Sequence, residues 1–173
     1  MKKALIFAAI LGACSLSAQK LIPDPCNLKF SAKYNVPSNW YIQTSKAERA
    51  NVTYKELGGN KRIITIAPKK DQILFYYGSA KKAIKGDVVN FTLKAKGKGT
   101  VSVGYISYGA KDSNNFSYTE PVTLMDKEQT FTKSFEIKDN EKTGKKTEVI
   151  RICIVVPRGS EVEIASYNAA LEE

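Results

Sequence analysis

The sequence contains no histidine among its 173 residues. That absence excludes every catalytic arrangement in which an imidazole activates serine or cysteine, and every metal site with a histidine ligand. Phosphate-binding glycine loops, dinucleotide-binding motifs and Cys-x-x-Cys pairs are also absent from the sequence. Acidic residues remain, but a typical surface carries as many, so they do not by themselves indicate glycoside hydrolysis by paired carboxylates. We therefore predict that the protein is not an enzyme.

Arginine is scarce, although the chain is basic. Lysine and arginine together number 27 against 17 acidic residues, a formal net charge of +10, and only Arg49, Arg62, Arg151 and Arg158 are arginines. Such a surface attracts polyanions, but lysine lacks the planar fork that suits phosphate groups and base edges. Acidic glycans or an anionic cell surface are thus better predicted partners than nucleic acid. The alternative is that the lysines occupy solvated turns and protect strand edges.

The long apolar run is confined to the N-terminus. Two lysines precede Ala4 to Ala13, a run of ten residues that is too short to span a bilayer and is typical of a bacterial export signal. Cleavage after Ala18 would remove a signal peptide of residues 1–18. The residues before Cys14 instead resemble a lipoprotein lipobox, whose processing would remove residues 1–13 and lipidate the cysteine. Both alternatives predict a secreted, periplasmic or outer-surface protein, attached to a membrane only through a lipid on Cys14.

Cysteine is rare: three are present, and the export signal holds one of them. Cys26 and Cys153 would remain in an oxidising compartment, where a bridge between them would stabilise the fold by about 4 to 5 kcal/mol. The alternative is two buried thiols that never meet. No linker or repeat divides residues 19–173, which are predicted to form a single domain.

Strand patterns dominate this domain. Val89, Phe91, Leu93 and Ala95 alternate with polar residues, and the same period resumes from Val101 to Tyr105 beyond Gly97-Lys98-Gly99. This stretch predicts an antiparallel hairpin with one face on a core. A second hairpin is predicted at Gly58-Gly59-Asn60. About ten such short strands, separated by turn residues, indicate an all-β antiparallel sandwich.

Four of these segments together resemble a known fold family. They are Ile84–Lys96, Thr100–Tyr105, Val122–Ile137 and Ile150–Ile164. In this order they are similar to the strands of galactose-binding-like jelly rolls, especially the bacterial carbohydrate-binding modules of families 4 and 9. The resemblance covers nearly all of residues 19–173 and implies a jelly-roll β-sandwich that binds a carbohydrate.

The resemblance does not extend to the structural calcium site of these modules. Phe30-Ser31 stands where the family often has Phe-Glu, and Ala165 to Asn168 lacks the usual acidic residues. Calcium prefers several oxygen ligands, carboxylates above all. No cofactor or metal is therefore predicted.

A sugar site needs aromatic rings beside amides, hydroxyls and carboxylates, because pyranose rings present apolar C–H faces. The predicted ligand-binding residues lie near the organising stretch or in another strand-end segment: Trp40, Tyr76, Tyr108, Asp112, Asn114, Asn115, Phe116 and Tyr118. Tyr108, Phe116 and Tyr118 are favoured as loop aromatics. For Tyr105, which is in phase with Val101, the core is the favoured position. For Trp40 the core is also favoured, because such modules often pack a tryptophan structurally after the first strand, and a place in the site is the alternative.

These features predict an exported, non-catalytic module that recognises a carbohydrate, with lysines favouring acidic glycans. The alternative is a structural or adhesion protein of the bacterial cell envelope that contacts other proteins. A glycan module should present two or three exposed aromatic residues in one groove. An assembly protein should present a broad apolar patch or an unprotected edge strand.

Overall fold

The computed structural model describes residues 18–31, 36–45, 48–109, 115–141 and 143–172. Residues 1–17, which include Cys14, lie outside this description, and so do Asp112 and Asn114. The choice between the two processing sites therefore stays a prediction.

The described residues form short strands joined by turns and two 3-10 turns, Pro25–Asn27 and Glu48–Asn51. The strands are β1 (Gln19–Lys20), β2 (Phe30–Ser31), β3 (Val36–Pro37), β4 (Trp40–Gln43), β5 (Val52–Gly58), β6 (Lys61–Ile66), β7 (Ile73–Tyr77), β8 (Lys81–Lys82), β9 (Val88–Lys98), β10 (Thr100–Tyr108), β11 (Asn115–Tyr118), β12 (Val122–Thr123), β13 (Gln129–Glu136), β14 (Val149–Val156) and β15 (Glu161–Leu171).

Two antiparallel sheets contain nearly all of these strands. The first sheet has the order β13-β9-β15-β6-β5, with β1 added to β15. The second has the order β11-β10-β14-β7-β4, with β12 on β10 and β8 on β14. The predicted all-β antiparallel sandwich is confirmed.

The core lies between the two sheets. Phe91 and Leu93 of the first sheet and Phe75 and Ile152 of the second belong to one buried cluster, as expected where each strand points alternate side chains inward. Tyr105 joins this cluster, and its hydroxyl accepts a hydrogen bond of 3.1 Å from the backbone N–H of Lys138. The interpretation of Tyr105 as a core residue is confirmed.

The predicted hairpin between β9 and β10 is wrong. β9 pairs with β13 and β15 in the first sheet, whereas β10 pairs with β11 and β14 in the second. The chain therefore crosses from one sheet to the other at Gly97-Lys98-Gly99. Gly97 has a φ of 140°, and an added Cβ would collide with the backbone oxygen of Glu161. The predicted hairpin at Gly58-Gly59-Asn60 does form, between β5 and β6.

Of the two alternatives for Cys26 and Cys153, the disulfide does not form, and both are buried free cysteines. Cys26 packs in the core between the sheets, where its thiol donates a 3.2 Å hydrogen bond to the carbonyl of Ile164. Cys153 lies in a separate cluster on the other face of β14, because its neighbours Ile152 and Ile154 point inward. The second sheet thus separates the two thiols. Burial raises the pKa of each thiol.

Glu48 fastens one 3-10 turn to the connection between β6 and β7. Its carboxylate accepts hydrogen bonds from the backbone N–H groups of Lys69 (2.8 Å) and Lys70 (2.7 Å) and from the Asn51 amide (2.7 Å). The residue is only 1% exposed. The Lys69 N–H, more than any other contact, holds the pKa of the Glu48 carboxyl below its usual range.

We expect Glu48→Gln to lower the melting temperature near neutral pH. Since the folded state lowers this pKa, the carboxylate stabilises the fold above its unfolded pKa, and that contribution is lost as the pH falls through the folded value. The gap in melting temperature between wild type and variant should therefore close between about pH 5 and about pH 2. Glu136→Gln, an exposed position on β13, is the control. A gap that stays constant over this range would contradict the account.

Candidate functional site

A row of residues crosses the outer face of the second sheet at right angles to its strands. Tyr41 of β4 lies opposite Tyr76 of β7, and Tyr76 lies opposite Cys153 of β14. Cys153 in turn lies opposite Gly104 of β10, which faces Tyr118 of β11. Directly paired residues share a face of a sheet, and the inward positions are taken by the core. We call these five residues the central row.

No side chain protrudes from the middle of the central row. Gly104 has no side chain and Cys153 is fully buried, whereas tyrosines stand on both sides of the pair. A Cβ at Gly104 would collide with the backbone oxygen of Ser117, so glycine is needed for the close approach of β11. The result is a shallow trough with aromatic walls.

A second row runs beside the central row. Arg151 of β14 lies opposite Ile106 of β10, which lies opposite Phe116 of β11. The Arg151 guanidinium carbon is 4.9 Å from the centre of the Tyr108 ring, and its Nη1 donates a 3.2 Å hydrogen bond to the Tyr108 hydroxyl. The geometry combines a cation–π contact with a hydrogen bond to the same side chain. We call Tyr41, Tyr76, Tyr108, Phe116, Tyr118 and Arg151 the aromatic face.

The rings of this face rest on a small hydrophobic cluster of their own. Leu74, Ile106, Cys153 and Val155 form it, and Tyr76, Tyr108 and Tyr118 pack against it. The rings nearer the two edges of the sheet are the more accessible, since Tyr41 is 51% and Phe116 is 41% exposed. Their ring centres are 5.7 Å from Tyr76 and 6.3 Å from Tyr118, respectively. Rings supported from below and beside each other make a rigid surface.

Burial affects the acidity of two hydroxyls on this face, those of Tyr76 and Tyr118. Burial raises the pKa of Tyr76, against the nearby Arg151 charge, which lowers it. Burial also raises the pKa of Tyr118 to about 12. Both phenols are therefore protonated at physiological pH and can donate as well as accept hydrogen bonds. No acidic residue occupies an outward-facing position of β4, β7, β10, β11 or β14.

A cavity adjoins the Tyr41 end of the aromatic face. It has a volume of about 370 Å³ and is lined by Val36, Trp40, Tyr41, Ile42 and Arg49. Tyr41 contributes to both the aromatic face and the cavity, so an elongated ligand that lies along the central row can extend into the cavity at the edge of the sheet.

The structure brings four of the predicted ligand-binding residues together. Tyr76, Tyr108, Phe116 and Tyr118 share the aromatic face. However, none of the four stands in a loop: Tyr76 lies on β7 and Tyr108 on β10, and β11 holds both Phe116 and Tyr118. Strands hold side chains in fixed directions, which suits recognition of a rigid ligand.

The remaining predicted residues are not part of this face. Trp40 is 1% exposed and stacks on Phe75 in the core with ring centres 4.5 Å apart, so it contributes to the wall of the adjoining cavity but not to the aromatic face. Asn115 lies opposite the buried Ser107, on the inward side of β11. Asp112 and Asn114 lie outside the described residues.

Sequence reasoning selected Trp40 rather than its neighbour Tyr41, and it missed Arg151 as a site residue. The signal for Tyr41 was present, since it follows Trp40, and in a strand one of two neighbours must point away from the core. Arg151 is likewise a charged residue between the apolar Ile150 and Ile152, which indicates that its side chain points outward. Neither signal could place these side chains beside Tyr76 and Tyr108 without the order of the strands.

Among the described residues, no three His, Cys, Asp or Glu side chains are close enough together to hold a metal ion. Within the same part of the chain, no helix is long and apolar enough to cross a membrane.

No protein-family model matches the sequence, and no curated protein matches it significantly. Solved structures match its fold. A family 4 carbohydrate-binding module has a TM-score of 0.53 at 17% identity, with 77% of this chain and 86% of that chain covered. A family 29 module variant complexed with mannohexaose has a TM-score of 0.50 at 12% identity, with coverages of 90% and 92%.

A third match comes from a larger protein. The family 22 binding module and family 10 hydrolase module of a Clostridium thermocellum endo-1,4-β-D-xylanase, complexed with xylohexaose, give a TM-score of 0.59 at 7% identity. The match covers 91% of this chain but only 29% of that chain. At these identities the likeness shows the fold: this chain has the jelly roll of carbohydrate-binding modules.

Proposed function

We propose that this protein is an exported, non-catalytic module that binds a glycan chain on the aromatic face of its second sheet. The observation that carries the proposal is the central row, in which tyrosines stand on both sides of a trough floored by Gly104 and Cys153. Export rests on the sequence of residues 1–18 alone.

The chemistry of the aromatic face suits sugars. Tyrosine rings offer flat apolar surfaces to the C–H faces of pyranoses, and their hydroxyls exchange hydrogen bonds with sugar hydroxyls. Four strand spacings separate β4 from β11, which makes the central row about 19 Å long. This length accommodates several linked sugar rings, so the expected ligand is an internal stretch of a chain.

The matched structures support the same class of ligand. One carries xylohexaose and another mannohexaose, both linear hexasaccharides. Their low sequence identity leaves the ligand of this chain to be argued from its own residues, which offer tyrosine, phenylalanine and arginine on the outer face.

A preference for acidic glycans is part of the proposal, but two of the lysines do not lie where they could contact a ligand on the aromatic face. Lys94 and Lys96 belong to β9 of the first sheet, away from the aromatic face. They pair with Glu128 at 2.7 Å and with Glu163 at 3.2 Å. The net charge of +10 still favours approach of a polyanion from solution.

The alternative function is the binding of other proteins in the cell envelope. A protein with that function is expected to present a broad apolar patch. The exposed apolar residues away from the aromatic face include Leu57, Ile84 and Met125. They lie in separate segments, on β5, between β8 and β9, and between β12 and β13. Single exposed apolar residues are normal on protein surfaces. Clustered aromatics on one face therefore favour the glycan.

A glycan array tests the proposal. The mature protein should bind one or more linear glycans, and Tyr41→Ala should weaken that binding because Tyr41 is the most exposed ring of the central row. Tyr54→Ala is the matched control, since Tyr54 is a partly exposed tyrosine on β5 of the other sheet. Absence of binding to every glycan, or equal loss in both variants, would overturn the proposal.

A further inference from the structure

We propose that Arg151 reads an acidic group on the glycan, so that the ligand carries a carboxylate or sulfate on the ring that lies between Tyr76 and Tyr108. This inference rests on the proposed function, because it concerns the same face. It assigns acid recognition to one arginine on β14, where the sequence pointed to many lysines.

The guanidinium of Arg151 is held in place before any ligand arrives. It lies over the Tyr108 ring, and Nη1 donates to the Tyr108 hydroxyl. Nε is buried without a hydrogen-bond partner. The free end of the group therefore consists of Nη2 and the second N–H of Nη1, a pair of parallel donors of the kind that binds a carboxylate with two hydrogen bonds.

No carboxylate of the described residues pairs with Arg151. The ion pairs of the described chain are those of Arg62, Lys94 and Lys96, and the only hydrogen-bond partner of Arg151 there is the Tyr108 hydroxyl. A half-buried cation that lacks a counter-ion is costly. An anion on the ligand would remove that cost, whereas a neutral sugar would leave it.

Arg62 is a comparable arginine that lies outside the proposed site. Its guanidinium also lies near two aromatic rings, 5.4 Å from Phe30 and 5.9 Å from Tyr54. However, its Nη2 pairs with Glu56 at 3.0 Å and its Nη1 donates to the carbonyl of Leu28 at 2.8 Å. Arg62 is thus neutralised within the described chain, whereas no carboxylate of the described residues neutralises Arg151.

Arg151 is the central cation of the outer face. It is the only cationic residue among the outward-facing positions of β4, β7, β10, β11 and β14 in the described chain, and on β8 the exposed Lys82 lies opposite Val149, two residues away along β14. A half-buried ion pair is screened less by salt than the exposed lysines are. Preference for the acidic glycan should therefore persist at physiological ionic strength.

Calorimetric titration with ligand pairs that differ only in the acid tests this inference. Oligogalacturonate is compared with its methyl ester, and sulfated dextran with dextran; xylohexaose and mannohexaose serve as neutral chains. The wild type should bind one acidic member about tenfold or more tighter than its neutral partner, because a hydrogen bond to a charged group is stronger than one to a neutral group. The pair that discriminates identifies the source as carboxylate or sulfate.

Variants locate the effect. Arg151→Gln should bring the affinities for the acidic and the neutral member of the pair to equality, and Arg151→Lys should keep only part of the preference because lysine lacks the fork. Arg62→Lys is the matched control and should leave the preference intact. Melting curves of each variant verify folding.

Two outcomes would overturn the inference, and they are distinguishable. If acidic and neutral members bind equally, or Arg151→Gln weakens both by the same factor, glycan binding stands and acid recognition by Arg151 does not. If none of the six ligands binds, both the inference and the proposed function fail for these glycan classes.

Discussion

Replacing Tyr76 by alanine is expected to weaken glycan binding by about thirtyfold, which corresponds to about 2 kcal/mol. Tyr76 stands next to the middle of the central row, and its ring is stacked beside that of Tyr41. Its removal takes away one stacking surface and leaves Tyr41 without its lateral support. Titration of wild type and variant with the same oligosaccharide measures the change.

Tyr54→Ala serves again as the control, because Tyr54 likewise packs against an aromatic ring, that of Phe30, but on the first sheet. Its affinity should match that of the wild type. Both variants should remain folded, which melting curves check. A Tyr76→Ala variant that is folded and binds as tightly as wild type would remove Tyr76 from the site.

The second large effect concerns stability. Gly97→Ala is expected to lower the free energy of unfolding by about 3 kcal/mol or more, since it adds backbone strain and a steric collision. Gly97 combines a φ of 140° with a backbone oxygen of Glu161 in the place of a Cβ. This glycine stands where the chain passes from β9 to β10, so the collision loosens both sheets. Denaturant unfolding measures the loss.

Gly59→Ala separates strain from collision. Gly59 also has a positive φ, 59°, but an added Cβ would meet nothing within 4 Å. The expected cost is about 1 kcal/mol, the ordinary penalty for a left-handed conformation. Equal losses in the two variants would contradict the role given to Gly97.

The alternation of Val89 to Ala95 and of Val101 to Tyr105 was enough to predict strands and their buried faces, but not their partners. Both a hairpin and a crossing between sheets bury one face of each strand and need glycine between them. The choice depends on pairing with β13, β14 and β15, which lie far along the chain. Local sequence carries no signal for such pairing.

The lack of a local signal for strand pairing also explains why only some of the site residues could be predicted. Aromatic residues near Tyr108 and Tyr118 could be singled out from their types, whereas their union with Tyr41 and Arg151 depends on the order of five strands. It also explains the cysteines: an even pair in an oxidising compartment predicts a bridge, but the fold places Cys26 and Cys153 on opposite sides of a sheet.

Chemical-shift mapping by NMR tests the central claim most directly. Backbone amide spectra of the isotope-labelled domain would be recorded with xylohexaose, mannohexaose and oligogalacturonate. We expect at least one of them to shift amides of β4, β7, β10, β11 and β14, centred on Tyr76, Cys153 and Gly104, and to leave β5, β6 and β13 unchanged. Shifts centred on the first sheet, or no shifts with any of the three, would contradict a glycan site on the aromatic face.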